Sequence, residues 1–519
     1  MLTAVMVLMV VFTDAAGDVL LTRGMKQVGD VSAVKRFKIP ATIKRIVGNP
    51  NILLGVASQT VSFFSFLTVL SWANLSFVVP ATAIVYAVTV VGARFFLKER
   101  IDPVRWAGTL LVCLGVALVS VPNDMEFSPA MLLEPVRLIL GALTAASVCY
   151  CLISIVAAEK FFRKTRTGTA PISASDAERG ISILIPLCGA DFRAYDNYAS
   201  ICRQEYPEFE IVFGVPDPED SAVAVVAKLR SDFPNVAIRL VVSAGGIGPN
   251  PKVNTLNNML PQARHEILLL LDSDVRIEPG FLRTISDELP ADGGLVTCLY
   301  RAGEAPGTPS KLEAVGITSD FAPGVLVAHM AGGISFALGA AIAATRKTLD
   351  AAGGFKAIAP YLADDFMLGN LVQKAGLSVR LSRCVVETVL SRLTPGGLIR
   401  HQIRWARGIR ACAPWGHAGS VIAYGTPLSF LYCIASGFSG LGLSVFAGVC
   451  ALRLGTAWMI GVRRLGDKIL RRHLPLVLLR DFLGLFVWSA ALLGRRVEWR
   501  GRMFQLEKGG RIRLCKEKQ

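Results

Sequence analysis

Apolar positions fall into three regimes along the chain. In the first third they form runs near 2–22, 51–71, 76–97, 104–121 and 137–158. Each approaches the roughly 20 residues a helix needs to cross a bilayer. Between about 180 and 415 the runs shrink to strand length: "ISILIPL" (181–187), "EIVFGV" (210–215), "AIRLVVS" (237–243) and "EILLLLD" (266–272). Helix-like stretches such as "AVAVVAKLRSDF" (222–233) separate them. That alternation predicts an α/β domain with a mostly parallel sheet covered on both faces. Long apolar segments return near 418–438, 440–461 and 474–493. The α/β domain is therefore expected between two α-helical transmembrane regions.

Charge sets the expected topology. The joining segments of the first third alternate between basic (Arg23 to Arg45), neutral ("SWANLS"), basic (Lys98, Arg100, Arg105) and acidic ("PNDMEFSPAMLLEP"), and the fifth run exits into "EKFFRKTR". The positive-inside rule places the first residue outside and everything after Lys160 in the cytoplasm. Near the other end, Arg480 and Asp481 sit mid-segment, which is costly in hydrocarbon. Three full spans would also leave the basic tail "GRRVEWRGRMFQLEKGGRIRL" outside. Two spans are expected there, with 474–493 interfacial or re-entrant and the tail cytoplasmic.

Composition agrees. The chain is 52% hydrophobic and 18% charged over 519 residues, long enough for two to four domains. Its mean hydropathy of +0.50 is too high for a wholly soluble enzyme. The formal charge of +16 reads as membrane topology and anionic headgroups rather than nucleic acid. The 11 cysteines contain no C-x-x-C pair and read as packing residues. The N-terminus lacks a basic n-region and a small-residue cleavage site, so it reads as a first span. Expected domains are a four-helix membrane module (1–125), a fifth helix and linker (126–175), the α/β domain (176–415) and a C-terminal membrane region with its tail (416–519).

Four acid-bearing or basic stretches carry candidate chemistry. Asp217 and Asp220 follow a strand and precede a helix, where an acid can bind a nucleotide or cap the helix. In "LLLLDSDVRIEPG" (268–280), Asp272 and Asp274 end a buried run. Hard oxygen donors there suit Mg²⁺ or Mn²⁺ shared with a diphosphate. Asp364 and Asp365 in "YLADDFMLGNLV" offer a general base or a dipole-favoured helix start. "RHQIRWARGIR" (400–410) sets Arg404 and Trp405 after His401, suiting a diphosphate and a sugar or lipid face, or an interfacial helix. Asp220 and the Asp272/Asp274 pair fall on one sheet edge, beyond the strands' carboxyl ends, where such sheets bind ligands.

Taken in order, Asp220, Asp272-x-Asp274, Asp365 and x-x-Arg404-Trp405 before membrane spans resemble lipid-directed glycosyltransferases of the GT-A type. "VPDPEDSAVAVVAKLRSDFPNVAIRLVVS", "GPNPKVNTLNNML", "DSDVRI", "AGGF", "YLADDFML" and "WRGRMFQL" resemble the ceramide glucosyltransferase family and its bacterial relatives, which include hopanoid-associated glycosyltransferases. The resemblance covers about 178–510. It implies a GT-A nucleotide-diphospho-sugar transferase that moves a sugar from UDP to a lipid hydroxyl with inversion. It implies nucleotide binding at Asp220 with Asp217 nearby, metal and diphosphate at Asp272 with Asp274, and Asp365 as base. Arg404 and Trp405 would meet the leaving group, with Lys252 and Asn254 at the nucleotide rim. His401 replaces the family's Gln or Arg, which weakens the expected leaving-group contact. Asp274 completes a D-x-D that animal members can lack, which points to a bacterial branch and an inner membrane.

The acceptor is expected to be ceramide, with a hopanoid polyol and UDP-N-acetylglucosamine as the alternative. Residues 1–122, above all 76–121 with "KER", resemble an EamA or small-multidrug transporter unit. Asp14 and Asp18 lie in or near its first span. The module is expected either to flip or present lipid, or to anchor the enzyme; deleting 1–125 and following transbilayer glycolipid distribution separates these. A different class, a lipid transporter with an accessory soluble domain, would keep its function in Asp365→Asn.

Overall fold

The computed structural model describes residues 2–28, 46–73, 75–96, 102–119, 129–163 and 179–515. The joining segments at 29–45 and 120–128, and the "KER" at 98–100, lie outside the described residues. Contacts divide the chain into two units, Met1–Leu132 and Leu133–Gln519.

The first unit is helical: α1 (Leu2–Val28), α2 (Pro50–Leu70), α3 (Leu75–Thr82), α4 (Val85–Phe96) and α5 (Pro103–Val119). The single span expected at 76–97 is broken into α3 and α4. Pro80 lies inside α3, and a proline removes one helical N–H and crowds the preceding turn. Polar groups tie α1 to α2: Gln59 donates to Asp18 Oδ1 at 2.9 Å and Ser58 donates to the Thr13 carbonyl at 2.6 Å.

In the second unit, α6 (Pro129–Arg163) precedes the sheet domain. Its eight strands are β1 (Ile181–Pro186), β2 (Phe209–Val215), β3 (Ala237–Val242), β4 (Ile267–Leu271), β5 (Val275–Arg276), β6 (Gly294–Glu304), β7 (Ala341–Thr345) and β8 (Ser378–Val389). They lie in the order β3-β2-β1-β4-β7-β6-β8-β5. β1 to β4 pair in parallel, as do β6 and β8. β7 runs antiparallel to both β4 and β6. The apolar runs are unbroken because both faces are covered. Ile183, Ile185, Ile211 and Phe213 enter one core, while Leu184, Val212 and Leu268 enter the other. Helices α7 (Ala194–Cys202), α8 (Ala222–Asp232) and α9 (Pro251–Met259) cover the parallel half.

Among the described residues, four helices are long and apolar enough to cross a membrane, two of them at Leu133–Arg163 and Gly440–Arg464. One lies where the sequence suggested only soluble structure: Gly307–Gly332, made of α10 (Gly307–Gly316), a π-helical turn (Ile317–Phe321) and α11 (Ala322–Gly332). Glu313 and Asp320 dilute its apolar signal, and both are held by partners from other helices. α12 (Asp364–Lys374) and α13 (Pro395–Cys412) complete the domain.

The span expected at 418–438 is bent by 64° between Pro414–Ala423 and Gly425–Ala435, the latter being α14. α15 (Gly440–Ala457) continues through a second π-helical turn (Trp458–Arg464), and α16 (Leu476–Leu492) follows with 17 residues. The basic tail forms a second sheet of β9 (Arg496–Trp499), β10 (Arg502–Leu506) and β11 (Ile512–Leu514). It packs back on the α/β domain: Ile512 N–H donates to the Pro360 carbonyl at 2.8 Å and Leu362 N–H to that of Gly510 at 3.1 Å.

Candidate active site

Strand sense builds the site. β1, β2 and β4 point their carboxyl ends to one edge. The antiparallel β7 begins at that edge, with Leu271 opposite Ala341. Gly339, just before β7, thus meets Asp272, just after β4. A Cβ at Gly339 would lie 2.9 Å from Asp365 Oδ2 and 3.6 Å from Asp272 Oδ2. Two carboxylates from distant segments therefore converge on the one position without a side chain. Gly369 makes the approach possible from α12, since a Cβ there would lie 2.4 Å from the Ala337 backbone nitrogen.

Lys252, at the start of α9, supplies the opposing charge. Its Nζ lies 2.5 Å from Asp272 Oδ1 and 3.8 Å from Asp364 Oδ2. Burial disfavours its ammonium, yet Asp272 and Asp364 outweigh that and hold the Lys252 pKa above its usual value. It sits on the floor of the cleft rather than at a rim. Pro186, Leu271, Gly339 and Leu368 complete the lining of this small cavity. The Asp365 carboxyl is pushed up to about 6, first by burial and then by Asp364, against the lowering effect of Lys252.

Asp220 accepts hydrogen bonds from Gly189 N–H at 2.8 Å and Ala222 N–H at 2.8 Å. It clamps the loop after β1 to the start of α8, while Asp217 closes its own turn by accepting from Glu219 N–H at 2.9 Å. Asn254 likewise braces a loop, accepting from Ile247 N–H at 2.9 Å and donating to the Gly248 carbonyl at 2.9 Å.

β5 leaves to pair with β8, and Thr388 donates to Asp274 Oδ2 at 2.8 Å. Burial, then the Asp272 charge, pushes the Asp274 carboxyl up to about 7. Asp191, which the sequence reading missed, accepts from Ser273 and is itself raised, by burial first. Among the described residues no three acidic, His or Cys side chains are gathered as a ready metal cage. The hard oxygens of Asp272 and Asp274 fit Mg²⁺ or Mn²⁺ in kind, with a substrate diphosphate filling the coordination.

His401, Arg404 and Trp405 form a second cluster. His401 Nδ1 lies 2.9 Å from Glu313 Oε1, and its ring is 4.8 Å from that of Trp405, which is 38% exposed. The Arg404 guanidinium lies 5.8 Å from the Trp499 ring centroid, so β9 supports the motif helix. Burial pulls the Arg404 pKa down to about 10, with Glu313 opposing. Burial first, and then the charges of Asp365, Asp272, Asp274 and Glu313, raise the phenol pKa of Tyr300 on β6. Glu313, Tyr300 and Gly339 carry no local sequence signal; only the fold brings them to the site.

The mostly parallel sheet, the acids beyond its carboxyl edge and the membrane-length helices on either side have the arrangement of a GT-A-type glycosyltransferase domain. The glycosyl transferase family 21 domain matches residues 139–512, and the chain belongs to that family. An EamA-like transporter family match covers residues 31–121. Ceramide glucosyltransferase 1 of Caenorhabditis elegans is 25% identical over 353 residues, 66% of this chain and 74% of that protein. The ceramide glucosyltransferase of Komagataella phaffii is 28% identical over 196 residues, 36% of this chain and 37% of the relative. A Pyrobaculum calidifontis mannosyltransferase solved with GDP-Man and Mn²⁺ is 19% identical with a TM-score of 0.45, over 67% of this chain and 98% of that one.

Proposed function

We propose that this chain transfers a sugar from a UDP-sugar to the hydroxyl of a membrane lipid with inversion, most simply as a ceramide glucosyltransferase-like synthase. The observation that carries the reading is the meeting of Asp365 and Asp272 across Gly339, beside Lys252. A carboxylate with its pKa raised to about 6 can hold a proton and release it near neutrality, as a general base must. Asp365 takes the hydroxyl proton as the lipid oxygen attacks the anomeric carbon. One base and one displacement turn an α-linked donor into a β-product.

Lys252 and Arg404 neutralise charge on the departing diphosphate. Asp272 and Asp274 would hold Mg²⁺ or Mn²⁺, which would add Lewis-acid neutralisation of that same diphosphate. Asp220, Asp217 and Asn254 shape the loops around the nucleotide. The ceramide glucosyltransferase relatives and the span-length helices support a lipid acceptor. The basic segments support a cytoplasmic catalytic face, in a bacterial inner membrane.

The test is mass spectrometry of lipids after membranes are incubated with single UDP-sugars and Mn²⁺ or Mg²⁺. A hexosylceramide formed from UDP-glucose is expected. A glycosylated hopanoid formed from UDP-N-acetylglucosamine would move the reading to that acceptor. No lipid product from any UDP-sugar would overturn it.

A further inference from the structure

The tail sheet has two unlike faces. Val497, Phe504, Leu506 and Ile512 are buried, with Leu362 and Ala411 packed against them. Side chains alternate along a strand, so their neighbours face away. Gln505 on β10 stands opposite Arg496 of β9 and Arg513 of β11, which puts two arginines in one row on the outer face. Beside that row opens a cleft of about 510 Å³. Arg495, Lys508 and Arg513 bring three positive charges to its lining, against Glu507 alone. All three cations are exposed, and none pairs with an acid among the described residues. A concave surface with an excess of one sign concentrates counterions, and arginine matches the oxygens of a phosphate in pairs.

The position of the cleft selects the anion. Leu479, Phe482 and Phe486 recur on one side of α16 and are exposed, as are Leu492 and Leu493 where it ends. Arg495 comes two residues later, which the chain spans in at most about 7 Å. Leu514, also exposed, adds an apolar side chain to the lining. A cationic cleft that begins where an apolar helix side ends meets a bilayer at the depth of its headgroups. We infer that this cleft binds the phosphate of an anionic membrane phospholipid, with Arg495 and Arg513 donating to its oxygens. The cleft shares no lining residue with the cavity at Asp272 and Asp365. The two are nevertheless joined: Lys508 and Arg513 flank Gly510 and Ile512, whose backbones hold the chain at 360–362 just before Asp364. A headgroup that steadies this turn also raises turnover.

The experiment uses the full-length protein. Phosphatidylglycerol binding to delipidated protein is read by native mass spectrometry, without sugar donor. Turnover is read in nanodiscs of phosphatidylcholine alone or mixed with phosphatidylglycerol. Arg495→Gln/Arg513→Gln is expected to weaken phosphatidylglycerol binding about tenfold, the scale of a lost charged hydrogen bond. Lys347→Gln/Lys374→Gln, which removes the same charge from exposed positions of the α/β domain, should leave it unchanged. Lys508→Gln, in the exposed turn, should weaken it in the same direction even if the double arginine variant fails to fold. Wild-type turnover is expected to rise about fivefold with phosphatidylglycerol, the low end of typical coupling between sites. The double arginine variant should match wild type in phosphatidylcholine and show no rise. Unchanged binding in the cleft variants, or an equal loss in Lys347→Gln/Lys374→Gln, would overturn the inference, because net charge alone would then attract the lipid. Displacement of the lipid by equimolar inorganic phosphate would assign the cleft to a soluble anion and overturn it too. Binding without a rise in turnover would overturn the link to 360–362. Lipid binding with no sugar transfer in any membrane would count against the functional reading alone.

Discussion

Lys252 and Asp272 form an ion pair at 2.5 Å on the floor of the cleft, and Lys252 also reaches Asp364 at 3.8 Å. The ammonium occupies one oxygen of an acid expected to meet a divalent cation. Removing it leaves Asp272 without an opposing charge. Lys252→Met is expected to bind Mn²⁺ more tightly before donor is added and to raise KM for UDP-sugar about tenfold, the scale of one charged hydrogen bond. Manganese EPR and initial rates check the two halves; unchanged Mn²⁺ affinity would mean that the pair does not guard the metal position.

The raised pKa of Asp365 sets a pH profile. A general base at Asp365 works only when ionised, and burial and Asp364 push its carboxyl up to about 6. The rate is therefore expected to rise with pH through about 6 and to flatten above it. Asp364 is the second cause of the upward shift, after burial. Asp364→Asn removes that repulsion, so the acidic limb should move to lower pH. A limb that stays in place would assign it to another group. Asp365→Asn itself should lower kcat by about 10² to 10⁴ with the fold unchanged, the range for a lost general base.

How much of this was legible in the sequence depends on distance along the chain. Asp220 and Asp272 could be placed on one sheet edge because short apolar runs and the acids ending them are local signals. Asp365 could be placed only by resemblance, and its approach to Asp272 needed Gly339, whose lack of a side chain says nothing until β7 is seen to run antiparallel to β4. Asp274 shows another case of distance: nothing local in the D-x-D spacing shows that β5 pairs with β8 and brings Thr388 to Asp274 Oδ2. Arg480 and Asp481 read as unfit for a membrane segment because Arg453 and Asp320, their partners, lie on other helices.

The tail was read as a basic end, yet it braces the chain that leads into Asp364 and Asp365. Ile512 and Gly510 bond to both sides of Tyr361, just before Asp364 and Asp365. Arg407 donates to the Leu493 carbonyl at 2.6 Å, and Arg410 to that of Gly494 at 2.7 Å, fixing α13 to the chain that enters the tail. A chain ended after Gly494 keeps these bonds and all of the apolar helices but loses β9–β11. It is expected to insert normally and lose activity about a hundredfold, since small displacements of a catalytic group cost that much. Membrane fractionation and transfer assays test it; near-normal turnover would show that the loop at 360–362 holds itself.

Asp320, Arg453, Arg480 and Asp481 put two positive and two negative charges among apolar helices. Arg453 grips Asp481 with two bonds, Nη2 to Oδ1 at 2.6 Å and Nε to Oδ2 at 2.9 Å, and reaches Asp320 at 3.0 Å. Thr426 donates to Asp481 Oδ2 at 2.6 Å, so α14 joins the same knot. Both π-helical turns flank it, since Asp320 lies in one and Thr318 of that turn donates to Asp467, just past the other, at 2.6 Å. Removing one member strands its partner. Arg453→Met is expected to cost about 3–5 kcal/mol, the range for a broken buried pair. Arg453→Met/Asp481→Leu removes both charges of the bidentate pair but leaves Asp320 to Arg480 alone, so it should recover part of that loss. Thermal unfolding in detergent measures both. If the double variant were less stable than the single by the full cost of Asp481→Leu alone, the two residues would not be coupled, and the knot would be four separate contacts rather than one network.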